Sequence, residues 1–407
     1  MSLRRSAALL AVSAALCAVT APAAVAAPAA DDDLYGTSDP TYDGVWRQSL
    51  ALLAQDTAGV TPSKKAVHWL TQQQCDDGAF PAYRAKTAGD CGKKAAPNTN
   101  ATGIAVQALV ALGGHDAEVR KAVHWLKSVQ NDDGGWGYTA GAPSDANSVS
   151  LVIGSLAAAG EKPAQTTGED GATPYDALLG FRLGCDAKPD ARGAFAYQPD
   201  KEGKLAPNAD ATAAAALGGV GKGAVVAPGA APKAGPATPP ACGSDAKGDE
   251  VTPKQAAEGG AAYLTAVLKA NGHHLQSVMP GAKDQPDWSN TADAVVALAA
   301  GGHDKAAEAS LGWLQKHVGE WDKAKADPAA LSQLVLAAHA TGADPRDFGG
   351  VNLIKRLNAT GPKPSAVAHT AKISRIRSVT MITGRISGRV MWMKLCSEDA
   401  PSTRAAS

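Results

Sequence analysis

The sequence predicts an all-α protein in which six helical hairpins follow one another, each pairing an apolar inner helix with an amphipathic outer one. Three observations carry this. Ala66-Val-His-Trp-Leu70 recurs unchanged as Ala122-Val-His-Trp-Leu126, and both copies run through a Gln into Asp76-Asp77-Gly78-Ala79-Phe80 and Asp132-Asp133-Gly134-Gly135-Trp136, so the chain contains an internal repeat. Polar caps then lead into almost wholly apolar runs. Asn98-Thr-Asn-Ala-Thr102, Asp145-Ala-Asn-Ser148, Asn208-Ala-Asp-Ala-Thr212 and Ser289-Asn-Thr-Ala-Asp293 each open such a run. A helix apolar on every side is a buried one. The Trp-Leu segments, by contrast, carry Lys64, Lys65, Arg120, Lys121 and Lys127 along one side, as outer helices should.

Taken in order, the inner helices are expected near 41–55, 98–113, 144–160, 207–217, 286–300 and 326–341. The outer ones are expected near 62–74, 116–130, 172–183, 253–270, 303–318 and 348–358. Gly113-Gly114-His115-Asp116 and Gly301-Gly302-His303-Asp304 make the same inner-to-outer turn, Gly ending one helix and Asp opening the next, which reads His115 and His303 as turn residues. No strand pattern intrudes. Hairpins of this kind either stack as an open solenoid or close into a ring.

The 407 residues carry 39 Lys+Arg against 39 Asp+Glu, and this neutral balance gives no sign of a nucleic-acid partner. Nor does any run reach the roughly 18 apolar residues of a bilayer-spanning helix. Residues 1–30 read as a secretory signal peptide: Arg4 and Arg5 precede a short apolar stretch, and Ala24-Val25-Ala26 supplies small residues for cleavage. Export places Cys75, Cys91, Cys185 and Cys242 in an oxidising compartment, where Cys75 is expected to pair with Cys91 and Cys185 with Cys242. Zinc is the rival use of four cysteines, but no Cys-x-x-Cys spacing exists, and no metal site is expected. Two segments break the rhythm. Residues 218–250, rich in Pro, Gly and Ala, read as a flexible excursion. Residues 365–407 carry net charge +5 and an abrupt change of composition, which reads as an irregular basic tail, out of frame or in contact with an anionic surface.

The Trp-Leu-x3-Gln-x3-Gly-x-Trp pattern of 125–136 and its Phe-ended copy at 69–80 resemble the QW repeat of the prenyltransferase and squalene-cyclase superfamily. The resemblance implies a closed (α/α)6 toroid over roughly 41–358. It also implies that Trp69, Gln74, Phe80, Trp125, Gln130 and Trp136 are structural clasps tying an outer helix to the start of the next inner one. The superfamily's alkene-protonating Asp-x-Asp-Asp-Thr-Ala falls on Asp287-Trp-Ser-Asn-Thr-Ala292, where Ser289 and Asn290 replace two aspartates and cannot deliver a proton to a hydrocarbon. The prenyltransferase zinc site, resembling Asp-x-Cys with a distant His, has no counterpart. No cofactor is implied.

What remains is a polar patch where the inner helices begin: Asn98, Asn100, Asp145, Asn147, Asn208, Asp210, Asp287, Ser289, Asn290 and Thr291. Each is a helix cap first, yet together they ring one mouth of an apolar barrel and are the candidate ligand-binding residues. The positive ends of six helix dipoles favour an amide- or phosphate-bearing small molecule there. The cobalamin-carrier family is similar in helix count and secretion, which makes a corrinoid the nearest named ligand, although the 365–407 tail cannot supply that family's β-rich second domain. The expected function is thus a secreted, non-catalytic, ligand-binding toroid. A cyclase with a divergent acid and a cell-surface adhesion or scaffold protein are the alternatives, and the cell wall or a membrane transport component is the expected macromolecular partner.

Overall fold

A computed structural model of the chain describes residues 33–364 except 88–90, 92–94, 232–233, 243–250, 280–281 and 283. The expectations for residues 1–30 and 365–407 lie outside the described residues.

Six inner helices alternate with six outer ones. The inner set is α1 (Gly44–Thr57), α3 (Thr99–Leu112), α5 (Ala146–Ala158), α7 (Ala209–Gly219), α9 (Trp288–Ala300) and α12 (Pro328–Thr341). The outer set is α2 (Lys64–Gln72), α4 (Asp116–Ser128), α6 (Pro174–Gly180), α8 (Pro253–Ala270), α10 (Asp304–His317) and α13 (Leu353–Asn358). Each inner helix packs against the inner helices before and after it, and α12 packs back on α1, so the hairpins close into a ring. Side chains of α1 seal the seam. Gln55 donates to Asn358 Oδ1 at 2.7 Å and accepts from the Tyr35 hydroxyl at 2.9 Å, while the Gly36 amide donates to Thr360 O at 2.7 Å. Beside them the buried Arg47 donates to the carbonyls of Tyr35 and Ser38 and pairs with Asp43 at 2.6 Å.

The clasps differ from the expected ones in what they join. Gln74 donates to Gly78 O at 3.0 Å and to Glu118 O, in the first turn of the next outer helix, at 2.8 Å. Gln130 donates to Gly134 O at 2.7 Å, and the buried Trp136 donates to Leu126 O at 2.7 Å. It is the backbone of the aromatic position that ties to the next inner helix: Phe80 N donates to Thr102 Oγ1 at 2.9 Å, and Asp145 N donates to Trp136 O at 3.1 Å. Gly78 and Gly134 hold positive φ and press on the backbones of Lys121 and Thr173, where any Cβ would collide. That contact sets how closely successive outer helices approach. Trp69 and Trp125 are nearly buried in the same core.

Four further differences have local causes. Outer helix α6 is only seven residues long, against an expected 172–183, because Leu183 leaves it to bond Ala194 O at 2.8 Å. Outer helix α13 starts at Leu353 rather than 348, since Gly349-Gly350 turns the chain so that Phe348 and Val351 pair with each other. A single turn, α11 (Lys323–Ala326), precedes α12. A two-residue antiparallel pair, β1 (Leu275–Gln276) with β2 (Pro286–Asp287), joins α8 to α9 where no strand was expected. It forms because Thr291 Oγ1 accepts the Leu275 amide at 2.9 Å and pulls the chain straight into the cap of α9.

The segment 218–250, expected as a flexible excursion, lies against the ring where it is described. Its described residues form a strap lying across the C-terminal ends of the inner helices. Gly223 packs on Gly154 of α5, where a Cβ on either residue would collide with the other strand of backbone or with Gln107. The Ala224 amide donates to Gln107 Oε1 at 2.8 Å, and Val226 is buried in the ring's core. Farther on, Ala234 N donates to Gly302 O at 2.9 Å and Thr238 N to Glu258 Oε1 at 2.8 Å. Small residues were the sequence's sign of looseness. Here they let backbone lie directly on helices.

Both expected disulfides are present, Cys75–Cys91 with Cα atoms 5.3 Å apart and Cys185–Cys242 with Cα atoms 5.5 Å apart. Among the described residues no helix is long and apolar enough to cross a membrane. The Cys185–Cys242 bond spans 57 positions and anchors the far end of the strap, against 16 positions for the other pair. Replacing Cys185 and Cys242 together by Ser is expected to lower stability by about 3–4 kcal/mol and to expose the 220–242 amides to hydrogen exchange. Unchanged exchange in the double variant would show that the strap is held by its packing alone.

Candidate functional site

All six inner helices line one central cavity of about 390 Å³. Each contributes along a single helical stripe: Trp46 and Leu50 from α1, Asn100, Ile104 and Gln107 from α3, Asn147, Ser150 and Leu151 from α5. Asp210, Ala213, Ala214 and Leu217 follow from α7, Asn290, Asp293 and Val296 from α9, and Gln333 and Leu336 from α12. Along each helix these residues follow one another in steps of three or four, or in the adjacent pairs that such steps bring together, as one helix face requires. Lys222, Gly223 and Ala224 of the strap close the end at the helix C-termini. The wall is therefore aliphatic in its depth and polar near the helix N-termini.

Of the ten residues expected at the mouth, Asn100, Asn147, Asp210 and Asn290 reach this cavity. Four others are spent as caps. Asn98 accepts from Ala101 N at 2.8 Å, Asp145 from Ser148 N at 2.8 Å, Asn208 from Ala211 N at 2.9 Å and Asp287 from Asn290 N at 3.2 Å. Thr291 is fully buried, its hydroxyl shared between Leu275 N and Asp287 O, the same task Thr102 and Thr212 perform in α3 and α7. Ser289 does not line the cavity. The physical reason is positional: the cap residue turns its side chain back onto the helix's own free amides, and only the residues two or three further on point inward.

Sequence reasoning missed Asp293, Gln333, Gln107 and Trp46 as cavity residues. The available signal was a lone polar residue inside an otherwise apolar run, as in Thr-Ala-Asp293-Ala-Val-Val, Leu-Ser-Gln333-Leu-Val and Ala-Val-Gln107-Ala-Leu. A buried polar group needs a partner, and the polar residues of the wall find one on the neighbouring inner helix. Gln333 donates to Asp293 Oδ2 at 3.1 Å, Asn147 donates to Asp210 Oδ2 at 2.8 Å, and Gln107 donates to Ser155 Oγ at 3.1 Å.

The electrostatics run against the dipole argument made from sequence. Asp43, Asp145, Asp287 and Asp327 occupy the N-cap positions of α1, α5, α9 and α12. Their carboxylates offset the positive helix ends. Burial pushes the Asp210 carboxyl up, with the charges of Asp287 and Asp145 adding to it while the Asn147 amide opposes it. Burial likewise raises Asp145, against the hydrogen bonds it accepts from Ser148. Asp293 is pushed furthest, to about 7, by burial first and then by the charges of Asp210 and Asp287. It is thus a carboxylic acid that holds or yields its proton near neutrality, facing an apolar cavity. Among the described residues no group of three or more His, Cys, Asp or Glu is arranged to hold a metal ion.

Residues 92–159, which run through α3, α4 and α5, match the family model of the squalene-hopene cyclase C-terminal domain. No curated protein matches the chain in sequence. Among solved structures it is similar to a protein from Actinoplanes, at 18% identity over 76% of this chain and 79% of that one, with a TM-score of 0.43. It is also similar to the type II terpene cyclase MstE from Scytonema, at 12% identity over 74% of this chain and 88% of that one, with a TM-score of 0.45.

Because the folded state opposes ionisation of Asp293 and the unfolded chain does not, its contribution favours folding below the ordinary Asp range near pH 4. That contribution is lost as pH rises through about 7. Asp293→Asn should leave the melting temperature unchanged near pH 4 and raise stability above pH 7, by at most on the order of 3–4 kcal/mol. A melting difference that does not vary with pH would show that Asp293 ionises freely in the fold.

Proposed function

We propose that this ring of six helical hairpins, whose residues 92–159 match the family model of the squalene-hopene cyclase C-terminal domain, serves as an extracellular binding protein that takes a small molecule into its central cavity. One observation carries this: side chains from all six inner helices converge on that cavity, with amides and carboxylates at one end and aliphatic groups in the depth. At about 390 Å³ it has the size of an ordinary small-molecule site. A corrinoid, far larger, would have to rest on the mouth with only a side group inside. Amide groups find partners in Asn100 and Asn147, whereas a phosphate would meet Asp210 and Asp293. The two disulfides accord with an oxidising compartment.

A second reading, a cyclase with a divergent acid, has Asp293 in its favour, since a protonated carboxyl facing an apolar cavity is where alkene protonation would begin. Two facts weigh against it. Burial makes Asp293 a weaker acid than a free one, the wrong direction for protonating a hydrocarbon. Among the described residues Trp46 is also the single aromatic ring on the cavity wall, so a carbocation would lack the faces that stabilise it.

Incubation with squalene or a polyprenyl diphosphate is expected to return substrate unchanged by mass spectrometry, and a cyclic product lost in Asp293→Asn would establish the second reading instead. Thermal-shift screening with corrinoids, prenyl lipids and small amides should find a ligand whose binding is abolished by Ala214→Trp, which fills the cavity. A ligand bound equally well by that variant would place the site elsewhere on the molecule.

A further inference from the structure

On the reading above that the cavity binds a small molecule, we infer that the molecule is an organic cation: an ammonium group carried on an apolar body, admitted at the inner-helix N-terminal mouth. At its N-terminal end the cavity has acceptors without matching donors among the described residues, and the lysine in its lining, Lys222, belongs to the strap at the opposite end. Asp210 receives one side-chain donor, Asn147 at 2.8 Å, and Asp293 one, Gln333 at 3.1 Å. The amide oxygens of Asn100 and Asn147 have no partner at all. Asp43, Asp145, Asp287 and Asp327 stand close enough at the same end for their charges to be felt by one another or by Asp210 and Asp293. Among the described residues the one ion pair involving any of these six is Arg47 with Asp43. Carboxylates left this way in an apolar surrounding are costly unless a cation completes them. A phosphate or carboxylate ligand would add like charge.

A second feature points the same way. Tyr42, Tyr138 and Tyr197 are 82%, 50% and 42% exposed, and all three stand at this mouth rather than being scattered over the surface. Tyr42 lies just before α1, while the carbonyls of Tyr138 and Tyr197 accept the amides of Thr99 and Ala146 at the starts of α3 and α5. Tyr42, Tyr138, Trp46 and Asp43 share a groove with Asn100, and Trp46 and Asn100 continue from it into the central cavity. Aromatic faces beside carboxylates attract an ammonium group along its whole path inward. A metal ion does not meet the same need, because the oxygens come from side chains spread around a wide cavity rather than gathered at one coordination point.

The test is calorimetric titration of the full secreted protein with three molecules that share one body: 4-phenylbutylamine, 4-phenylbutanol and 4-phenylbutyrate. The amine is expected to bind at least tenfold more tightly than the alcohol, and the carboxylate most weakly. Asp210→Asn with Asp293→Asn should bring the amine down to the level of the alcohol while circular dichroism shows the helices intact. If the alcohol binds as tightly as the amine and Ala214→Trp abolishes both, the cavity is a binding site but the cation assignment falls. Binding of none of the three at millimolar concentration overturns the assignment and the binding reading together.

Discussion

The contact of α12 with α1 governs the rest of the structure. Inner helices such as α3 and α9 bury apolar residues against both neighbours in the ring, and an end helix of an open stack would leave one such face in water. Ring closure removes both ends at once, so the hydrophobic gain is shared by all six hairpins rather than by the inner four. The seam is also where polar specificity concentrates. Arg47, Gln48 and Gln55 are all buried on α1: Arg47 and Gln48 bond the segment that precedes the ring, Gln48 also donates to Ala66 O of α2, and Gln55 donates to Asn358 at the other end. A buried guanidinium bound to carbonyls tolerates little displacement, and the seam therefore fixes one register for closure.

Much of this was legible in the sequence because the repeat is a direct imprint of the hairpin. Alternation of apolar and amphipathic runs located the helices, and even cysteine number with export located the disulfides. The site was half legible. Polar residues at inner-helix starts were found, yet caps and cavity residues look alike in composition, and only the rotation of 100° per residue separates Asp287, which turns back on its helix, from Asn290 and Asp293, which point inward. The course of the strap was not legible for a related reason. Pro, Gly and Ala say how little a segment can bury of its own, and nothing of whether neighbours such as Gln107 and Gly154 offer it a groove.

Helix dipoles and cap carboxylates illustrate how a correct local argument can give the wrong sign for a site. Six positive helix ends at one mouth would attract an anion if nothing else were there. Four of the six inner-helix caps are themselves acidic, and the ring gathers them as closely as it gathers the dipoles. A helix end carries about half a charge, an aspartate a whole one. The field at the mouth is then set by the caps, and Asp210 and Asp293 deepen it inward.

The strap has a consequence for exchange with the surroundings. A ring of helices is in principle a pipe, open to solvent at two ends, through which a solute can pass. With Gly223 laid on Gly154 and Ala224 bonded to Gln107, the described residues of the strap cover one end, and the pipe becomes a cup that opens toward the inner-helix N-termini. A solute that enters at that mouth meets the strap at the far end. Residence time in such a vessel depends on how well the bottom fits as well as on the residues at the rim, and the rim side chains act on capture and release alike.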